Sequence, residues 1–392
     1  MQVIIHRGTH QIGGMAVEIN TASTRIVIDM GDELGLAPDF SPQPLMIPGV
    51  TDSDGSCDGV LFTHNHGDHV GQMKNIRDGI PLYMGHLAKD VLLAVTPDSD
   101  VSLKARLGKI KIFEPGKRFE IGDIAVTPLA VDHSACDSYM FLLEGEGKRI
   151  LHTGDFRVHG FRGKALQKML EKLVGTVDVL ITEGTTLSRG HCQSVSEREL
   201  QQKAAEYQSK YKYVFVLCAS TNLERICALS KSVPRGRYFV CDRYQNQLLD
   251  LVEKHWSGYS NLYRNIKKTV YGENLLPKLK EKGFLMMVRD NRKFREIIRH
   301  FPPKESLILY SMWDGYRSRE GSTIPDFLSL AGQWAPLHTS GHAGIEDLKL
   351  VIETVNPEVI LPIHTDCPDA LKRIYPDRNI VVLEDGEEFK VQ

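Results

Sequence analysis

The sequence predicts an α/β chain in which one α/β domain is inserted into another. Apolar, strand-like runs at both ends of the chain close on His, Asp and Glu: 25–30, 59–62, 124–130, 151–156, 177–183 and 357–364. Between them, from about 205 to 330, strand and helix patterns start again in a βαβ rhythm. That rhythm implies a parallel sheet covered by helices. Motifs of metal-ligand type then resume, so the middle segment interrupts a single domain. The expected segmentation is 1–200 and 331–392 for the interrupted domain and 201–330 for the insert. There is no internal repeat and no low-complexity tract.

The 392 residues suffice for two domains with sizeable cores. With 42% hydrophobic and 25% charged residues, the composition is that of an ordinary globular protein. The net charge of −2 carries no global basic excess, so a nucleic-acid partner needs a local patch. The Met1 start shows no signal-peptide pattern, and no run of about 18 apolar residues marks a membrane helix. The cysteines 57, 136, 192, 218, 227, 241 and 367 are scattered, odd in number and without a Cys-X-X-Cys pair. That pattern fits reduced thiols and a cytoplasmic protein, not a disulfide framework.

Taken in order, 1–29 reads as strands around the Gly13-Gly14 turn, and Arg25–Met30 as a strand ending at Asp29. Leu61 to His69 is the chemical centre of the sequence. His64 and His66 are two apart, so on an extended backbone they share a side. Gly67 permits a sharp turn. Asp68 and His69 then open a helix and aim back at the same point. Two ligand pairs of different direction suit two adjacent metals better than one. Imidazole with carboxylate suits zinc, manganese or iron.

A helix follows this turn, then a strand at 81–84 and a helix from about His86 to Leu93, where His86 reads as a capping or packing residue. Short strands fill 110–129. Val131-Asp132-His133-Ser134 follows a strand, and His152 sits inside the next one, buried and hydrogen-bonded. After the strand Val177–Thr182, Ser194 or Ser196 caps a helix to about Tyr207. In the insert, 213–218, 238–241, 284–288 and 307–310 read as strands, and Asn222–Lys231 as a helix buried through Leu223, Ile226, Cys227 and Leu229. A basic run holds Arg289, Arg292, Lys293, Arg295 and Arg299. Arg317 and Arg319 follow, with Trp313 and Tyr316 between the runs. This is either a solvated helix face or a cationic groove with stacking platforms for RNA, for which Arg292, Lys293, Arg295 and Tyr316 are the candidates. His338, Ser340, Gly341 and His342 form a turn ahead of a helix and read as an anion site built from side chains and helix-start N–H groups. The strand 357–363 closes on His364, and a short strand pattern at 379–383 ends the reading.

The spelling His-X-His-X-Asp-His resembles the signature of the metallo-β-lactamase superfamily. That resemblance implies an αβ/βα sandwich with a metal site at one edge. It implies that Asp29 orients ligands from behind and that His133 joins His64 and His66. It implies further that Asp155 touches both metals and that His364 joins Asp68 and His69. Glu183-Gly184-Thr185-Thr186 resembles motif A of the β-CASP nuclease branch, 185–200 its linker into an inserted cap domain, 337–348 its motif B and His364 its motif C, with ribonuclease J the nearest group. The resemblance covers nearly the whole chain in motif order. It implies a ribonuclease using two divalent ions, Zn2+ with Mn2+ as the alternative. Such an enzyme hydrolyses single-stranded RNA through an activated water, with Asp68, Glu183 and His342 in the catalytic set and His342 as proton donor. The expected mode is 5′-to-3′ from 5′-monophosphate ends, with endonuclease activity as a second mode. Three departures stand out. Glu183 replaces the usual Asp, Thr365-Asp366 replaces Gly-Glu, and the C-terminal domain common in ribonuclease J is missing, which leaves a homodimer and the exonuclease balance open. The rival readings are an endonuclease of RNA or single-stranded DNA, a small-ester metallo-hydrolase, and an inactive RNA-binding protein.

Overall fold

The computed structural model describes residues 1–35, 37, 40–53, 55–189 and 194–392; Cys192 lies outside the described residues. The chain divides into two compact units, 1–35 with 41–193 and 341–392, and 36–40 with 194–340. The second unit takes in the helix Glu197–Lys210 and the strand Trp334–Pro336, parts of which fall outside the 201–330 expected from sequence. The Arg225–Glu197 ion pair and the pairing of Trp334–Pro336 with Ser306–Ser311 account for this.

The strands of the first unit up to the insert are β1 (Gln2–Arg7), β2 (Ala16–Asn20), β3 (Arg25–Ile28), β4 (Gly59–Leu61), β5 (Leu82–Met84), β6 (Lys111–Ile112), β7 (Phe119–Ile121), β8 (Ile124–Val131), β9 (Ser138–Gly145), β10 (Lys148–His152) and β11 (Val179–Glu183). The second unit supplies β12 (Tyr213–Cys218), β13 (Tyr238–Cys241), β14 (Thr269–Val270), β15 (Phe284–Val288), β16 (Ser306–Ser311) and β17 (Trp334–Pro336). The first unit then closes with β18 (Val359–Ile363) and β19 (Glu388–Lys390).

Two mixed sheets of the first unit run β19-β1-β2-β3-β4-β5-β6 and β18-β11-β10-β9-β8-β7. Period-two alternation explains how they face each other. In β1, Val3 and Ile5 point inward and pack with Val17, Ile19, Ile26 and Ile28 of the same sheet. Across the interface lie Ile124, Val126, Phe141, Leu143, Ile181 and Leu361 of the other sheet. The intervening residues of each sheet face outward and are covered. Leu142, Leu151 and Leu180 pack on Leu166, Leu170, Val351 and Val355 of two helices, while Val27, Val60 and Phe62 pack on Val70, Met73 and Ala88. The unit is therefore an αβ/βα sandwich.

In the second unit the sheet is parallel throughout, in the order β14-β13-β15-β12-β16-β17. Its central strands β12, β15 and β16 are buried along their whole length, as expected of a sheet covered on both faces.

Some local expectations change. The helix after the metal turn is one turn, Gly67–Val70, followed by a 3-10 turn at Met73–Asn75. A helix at Val101–Gly108, capped by Asp100, was not read from sequence. The pattern at 379–383 yields one bridge, Ile380 to Ile360, because a turn at 384–387 follows, and the closing strand is β19 on β1. Ser196 caps Glu197–Lys210 with a capping box through Glu199. No helix among the described residues is long and apolar enough to cross a membrane.

Candidate metal centre

The strand ends of both sandwich sheets deliver the chemistry. Asp29 follows β3 and His364 follows β18, both in the left-handed region, with φ of 63° and 52°. Non-glycine residues are rare there and cluster at functional sites. The short helix Gly67–Val70 is stitched to the loop after β3 through Met30 N–H to His69 O (2.8 Å) and Asp32 N–H to Gly67 O (3.0 Å). Only glycine tolerates this approach at position 31, where a Cβ would lie 1.7 Å from the Asp68 carbonyl oxygen.

His64, His66 and His133 bring one ligand atom each within 4.8 Å of one another, and so do Asp68, His69 and His364. Asp155 Oδ2 lies between these groups. It is 3.2 Å from His69 Nε2, 3.8 Å from His133 Nε2, and 3.9 Å from both His64 Nε2 and His364 Nε2. A third set joins Asp155 and His364 with Glu183 and His342.

The outward ring nitrogens are fixed by acceptors. Asp29 Oδ1 accepts the Thr63 N–H (2.8 Å), and its Oδ2 accepts both the Thr63 hydroxyl (2.7 Å) and His69 Nδ1 (2.8 Å). The Thr63 oxygen, its proton already committed, accepts His64 Nδ1–H at 3.0 Å. His133 Nδ1–H donates to the Gly341 carbonyl (2.6 Å), and His364 Nδ1–H to the Thr185 hydroxyl (2.7 Å). Four imidazoles thus turn their Nε2 atoms inward, the arrangement that second partners impose on metal-ligating histidines. His64 Nε2, His69 Nε2 and Asp155 Oδ2 are buried with no hydrogen-bond partner. Buried polar atoms left so are costly unless something binds them. Nitrogen and carboxylate donors converging in this way fit a pair of divalent cations.

The electrostatics agree. Burial, reinforced by neighbouring imidazoles, pushes His64 and His133 well below the usual histidine range, and burial holds His66 at about 4. These rings are neutral and ready to ligate at neutral pH. Burial disfavours charge on His69 as well, but Asp155, Asp29 and Asp68 overcome it and hold this imidazole protonated, so His69 must release its Nε2 proton to act as a ligand. Asp155 and Asp68 stay ionised against the cost of burial because imidazoles surround them. His342 donates through Nδ1 to Glu183 (3.0 Å) and lies 3.6 Å from Asp155. Burial opposes its charge, yet Glu183 and Asp155 raise it to about 9.

Other expectations fall into place differently. His152 is buried at the end of β10 and accepts the Gly154 N–H, as read from sequence. The N–H groups of Ala343 and Gly344, expected to face an anion, are engaged by Glu183 (3.4 Å) and Asp347 (3.1 Å). Gly341 packs where a Cβ would sit 2.4 Å from Ser134 Oγ, which keeps its carbonyl on His133. In the second unit His338 accepts from Arg225 (3.2 Å), Arg292 pairs with Glu296 and Arg295 with Asp290, while Tyr316 stands exposed edge-on to Trp313.

Sequence reasoning missed Thr63, Thr185 and the ion pair of Asp132 with Arg157. In that pair Arg157 Nε donates to Asp132 at 2.7 Å with both side chains fully buried, tying the loop that carries His133 to the loop that carries Asp155. The adjacency of Thr63 to His64 and of Thr185 to Glu183 was the available signal.

Residues 24–208 match the β-lactamase superfamily domain, and residues 332–373 match the Zn-dependent metallo-hydrolase RNA specificity domain. The chain belongs to the metallo-β-lactamase superfamily. It is 24% identical to ribonuclease J of Helicobacter pylori strain 26695 over 98% of this chain, and 21% identical to ribonuclease J of Mycoplasma genitalium over 91%. It spans 60% of the length of the first and 66% of the second. A crystal structure of a protein of unknown function from Enterococcus faecalis V583 has the same fold, with a TM-score of 0.78 at 21% identity over 99% of both chains. Within this superfamily of metallo-hydrolases, the His and Asp clusters fit a binuclear centre, and the parallel sheet of the second unit is consistent with a β-CASP insert.

Proposed function

We propose that the chain is a ribonuclease that hydrolyses phosphodiester bonds of single-stranded RNA, with 5′-to-3′ degradation from 5′-monophosphate ends as its main mode. The observation that carries this reading is the convergence of unpartnered, buried Nε2 and carboxylate atoms, in a chain whose segment 332–373 matches an RNA specificity domain. In this reading His64, His66 and His133 hold one divalent ion, and Asp68, His69 and His364 hold the other. Asp155 serves both. Bound there, two ions of zinc, or of manganese, supply Lewis-acid activation of water and neutralise charge on the phosphate.

The chain's own groups do the rest. Asp29, Thr63, Thr185 and the Gly341 carbonyl keep the imidazole ligands aimed. Glu183 holds His342 charged and oriented, so that its proton passes to the leaving 3′-oxygen. The products therefore carry 5′-phosphate and 3′-hydroxyl ends. Ser340 and His338 are proposed as side-chain contacts to the 5′-phosphate, which favour a monophosphorylated end over a 5′-hydroxyl end. Arg292, Lys293, Arg295 and Tyr316 are proposed contacts to the rest of the strand.

The test is one gel with 5′-labelled and 3′-labelled RNA bearing 5′-monophosphate, triphosphate or hydroxyl ends. Mononucleotides released first from monophosphorylated 5′ ends are expected. Internal fragments that appear first, whatever the 5′ group, make the enzyme an endonuclease. No cleavage of RNA with a metal-replete protein removes the proposal.

A further inference from the structure

Arg225 lies on a helix of the second unit, Leu223–Lys231, buried from Leu223 to Ser230. Its guanidinium and the Glu197 carboxylate are each 1% exposed. All five of its N–H donors are used. Nε reaches Glu197 at 3.1 Å, and Nη2 reaches Glu197 at 2.6 Å and the Thr339 carbonyl at 3.0 Å. Nη1 reaches Ser311 Oγ at 3.3 Å and His338 Nδ1 at 3.2 Å. A guanidinium has no acceptor and no spare donor in such a setting. Two consequences follow. Arg225 has nothing left to offer a phosphate. His338 Nδ1 must carry a lone pair, so the ring is neutral and its proton sits on Nε2.

We infer that Arg225, held by Glu197, is a positioning residue that sets His338 as a neutral Nε2–H donor and fixes the Thr339 carbonyl one residue before Ser340. The inference rests on the reading of His338 and Ser340 as groups that face an RNA phosphate. A fully buried Arg–Glu pair is weak evidence of stabilisation, because desolvation offsets its attraction. Its geometry instead specifies one ring orientation and one protonation state. The guanidinium fork suits this task and an ammonium does not: Lys lacks the fixed planar donors needed to serve Glu197, Ser311, His338 and Thr339 together.

The experiment uses the full chain in two readouts. In the first, 15N spectra of histidine-labelled protein, with His338 assigned by loss of its signal in His338→Gln, report the tautomer without any RNA. The wild type is expected to show the Nε2–H form. Arg225→Lys and the charge-free pair Arg225→Met with Glu197→Leu are expected to show exchange between tautomers while their circular dichroism matches the wild type. A wild-type ring protonated at Nδ1 overturns the inference. In the second, affinity for 5′-monophosphorylated RNA is measured in EDTA across a salt series. Each variant is expected to bind about tenfold more weakly, with the slope of log affinity against log salt unchanged. A residue that contacts phosphate directly would lower that slope by about one, and that result also overturns the inference. A wild-type chain that binds no RNA defeats the proposed function instead, and leaves the tautomer measurement to decide this one.

Discussion

Asp29→Asn tests how far the metal centre depends on a residue that is not itself a ligand. The Asp29 carboxylate accepts three hydrogen bonds, from the Thr63 N–H, the Thr63 hydroxyl and His69 Nδ1. The side chain is 1% exposed, so water cannot replace a lost partner. Asparagine has one acceptor oxygen and one donor NH2. If the NH2 faces the Thr63 N–H, two donors collide at a site that measures 2.8 Å. If it faces His69, the ring satisfies it only by accepting at Nδ1, which moves the ring proton to Nε2. Such a ring cannot ligate. Either outcome costs about 2 kcal/mol, the order of one charged buried hydrogen bond, or roughly thirtyfold in metal affinity. Competition with a chelator of known affinity, followed by metal analysis of the recovered protein, measures the change. The thermal midpoint of the metal-free variant serves as control. Metal affinity within threefold of the wild type at full stoichiometry would falsify the claim that Asp29 sets the His69 tautomer.

Three further outcomes are expected. Asp155→Ala should remove RNA cleavage and lower bound metal without unfolding the chain, because Asp155 is the carboxylate placed within 4 Å of four inward nitrogens; normal cutting with full metal content rules out the shared-ligand role. Glu183→Gln should shift the alkaline limb of kcat to lower pH by about one unit or more, since bound cations neutralise the influence of Asp155 and leave Glu183 as the carboxylate that holds His342 charged; an unmoved limb at saturating metal assigns the proton to another group. Glu18 is buried and would be pushed up by that burial, but hydrogen bonds from His6, Arg25 and Asn20 lower it from 4.5 to about 2. Its folded pKa lies below its unfolded one, so its stabilisation is full above about pH 4.5 and is lost as pH falls towards 2. Glu18→Gln should therefore cost roughly 2 kcal/mol near pH 7, screening included, and nothing near pH 2, and equal losses at both in denaturant titrations refute the linkage.

The contiguous candidate ligands His64, His66, Asp68 and His69 were legible because one short stretch of chain holds all four. His133, Asp155 and His364 were not legible from spacing, since strand pairing brings them in from far along the chain; resemblance supplied them. The orienting threonines look like any strand-end hydroxyl until the fold places an imidazole against them. Periodicity found Leu223, Ile226, Cys227 and Leu229 as core positions, but gave no hint that Glu224 and Arg225 on the same helix are buried too, because their partners Tyr263, Glu197 and Thr339 are remote. The basic run stayed open between a solvated face and a cationic groove because its ion partners are set by the fold, which places Asp242 beside Arg289 and Asp290 beside Arg295. The alternation of 213–218, 284–288 and 307–310 with helices was plain, as buried parallel strands leave long apolar runs.

The order in which the centre is encoded gives it a clock. Six of its seven proposed ligands lie between His64 and Asp155, and the seventh, His364, lies beyond the whole second unit on a strand that pairs with β11. A ribosome adding about 5–20 residues per second needs roughly 10–40 s to cover that gap. Throughout that interval a nascent chain holds every proposed ligand of one cation site and lacks the residue proposed to complete its neighbour. Its turn at His364, closed by the hydrogen bond from His364 N–H to the Gly8 carbonyl, joins the segment that follows the insert to a segment far ahead of it in sequence. The proposed pair of cation sites is thereby completed only after the second unit has been synthesised.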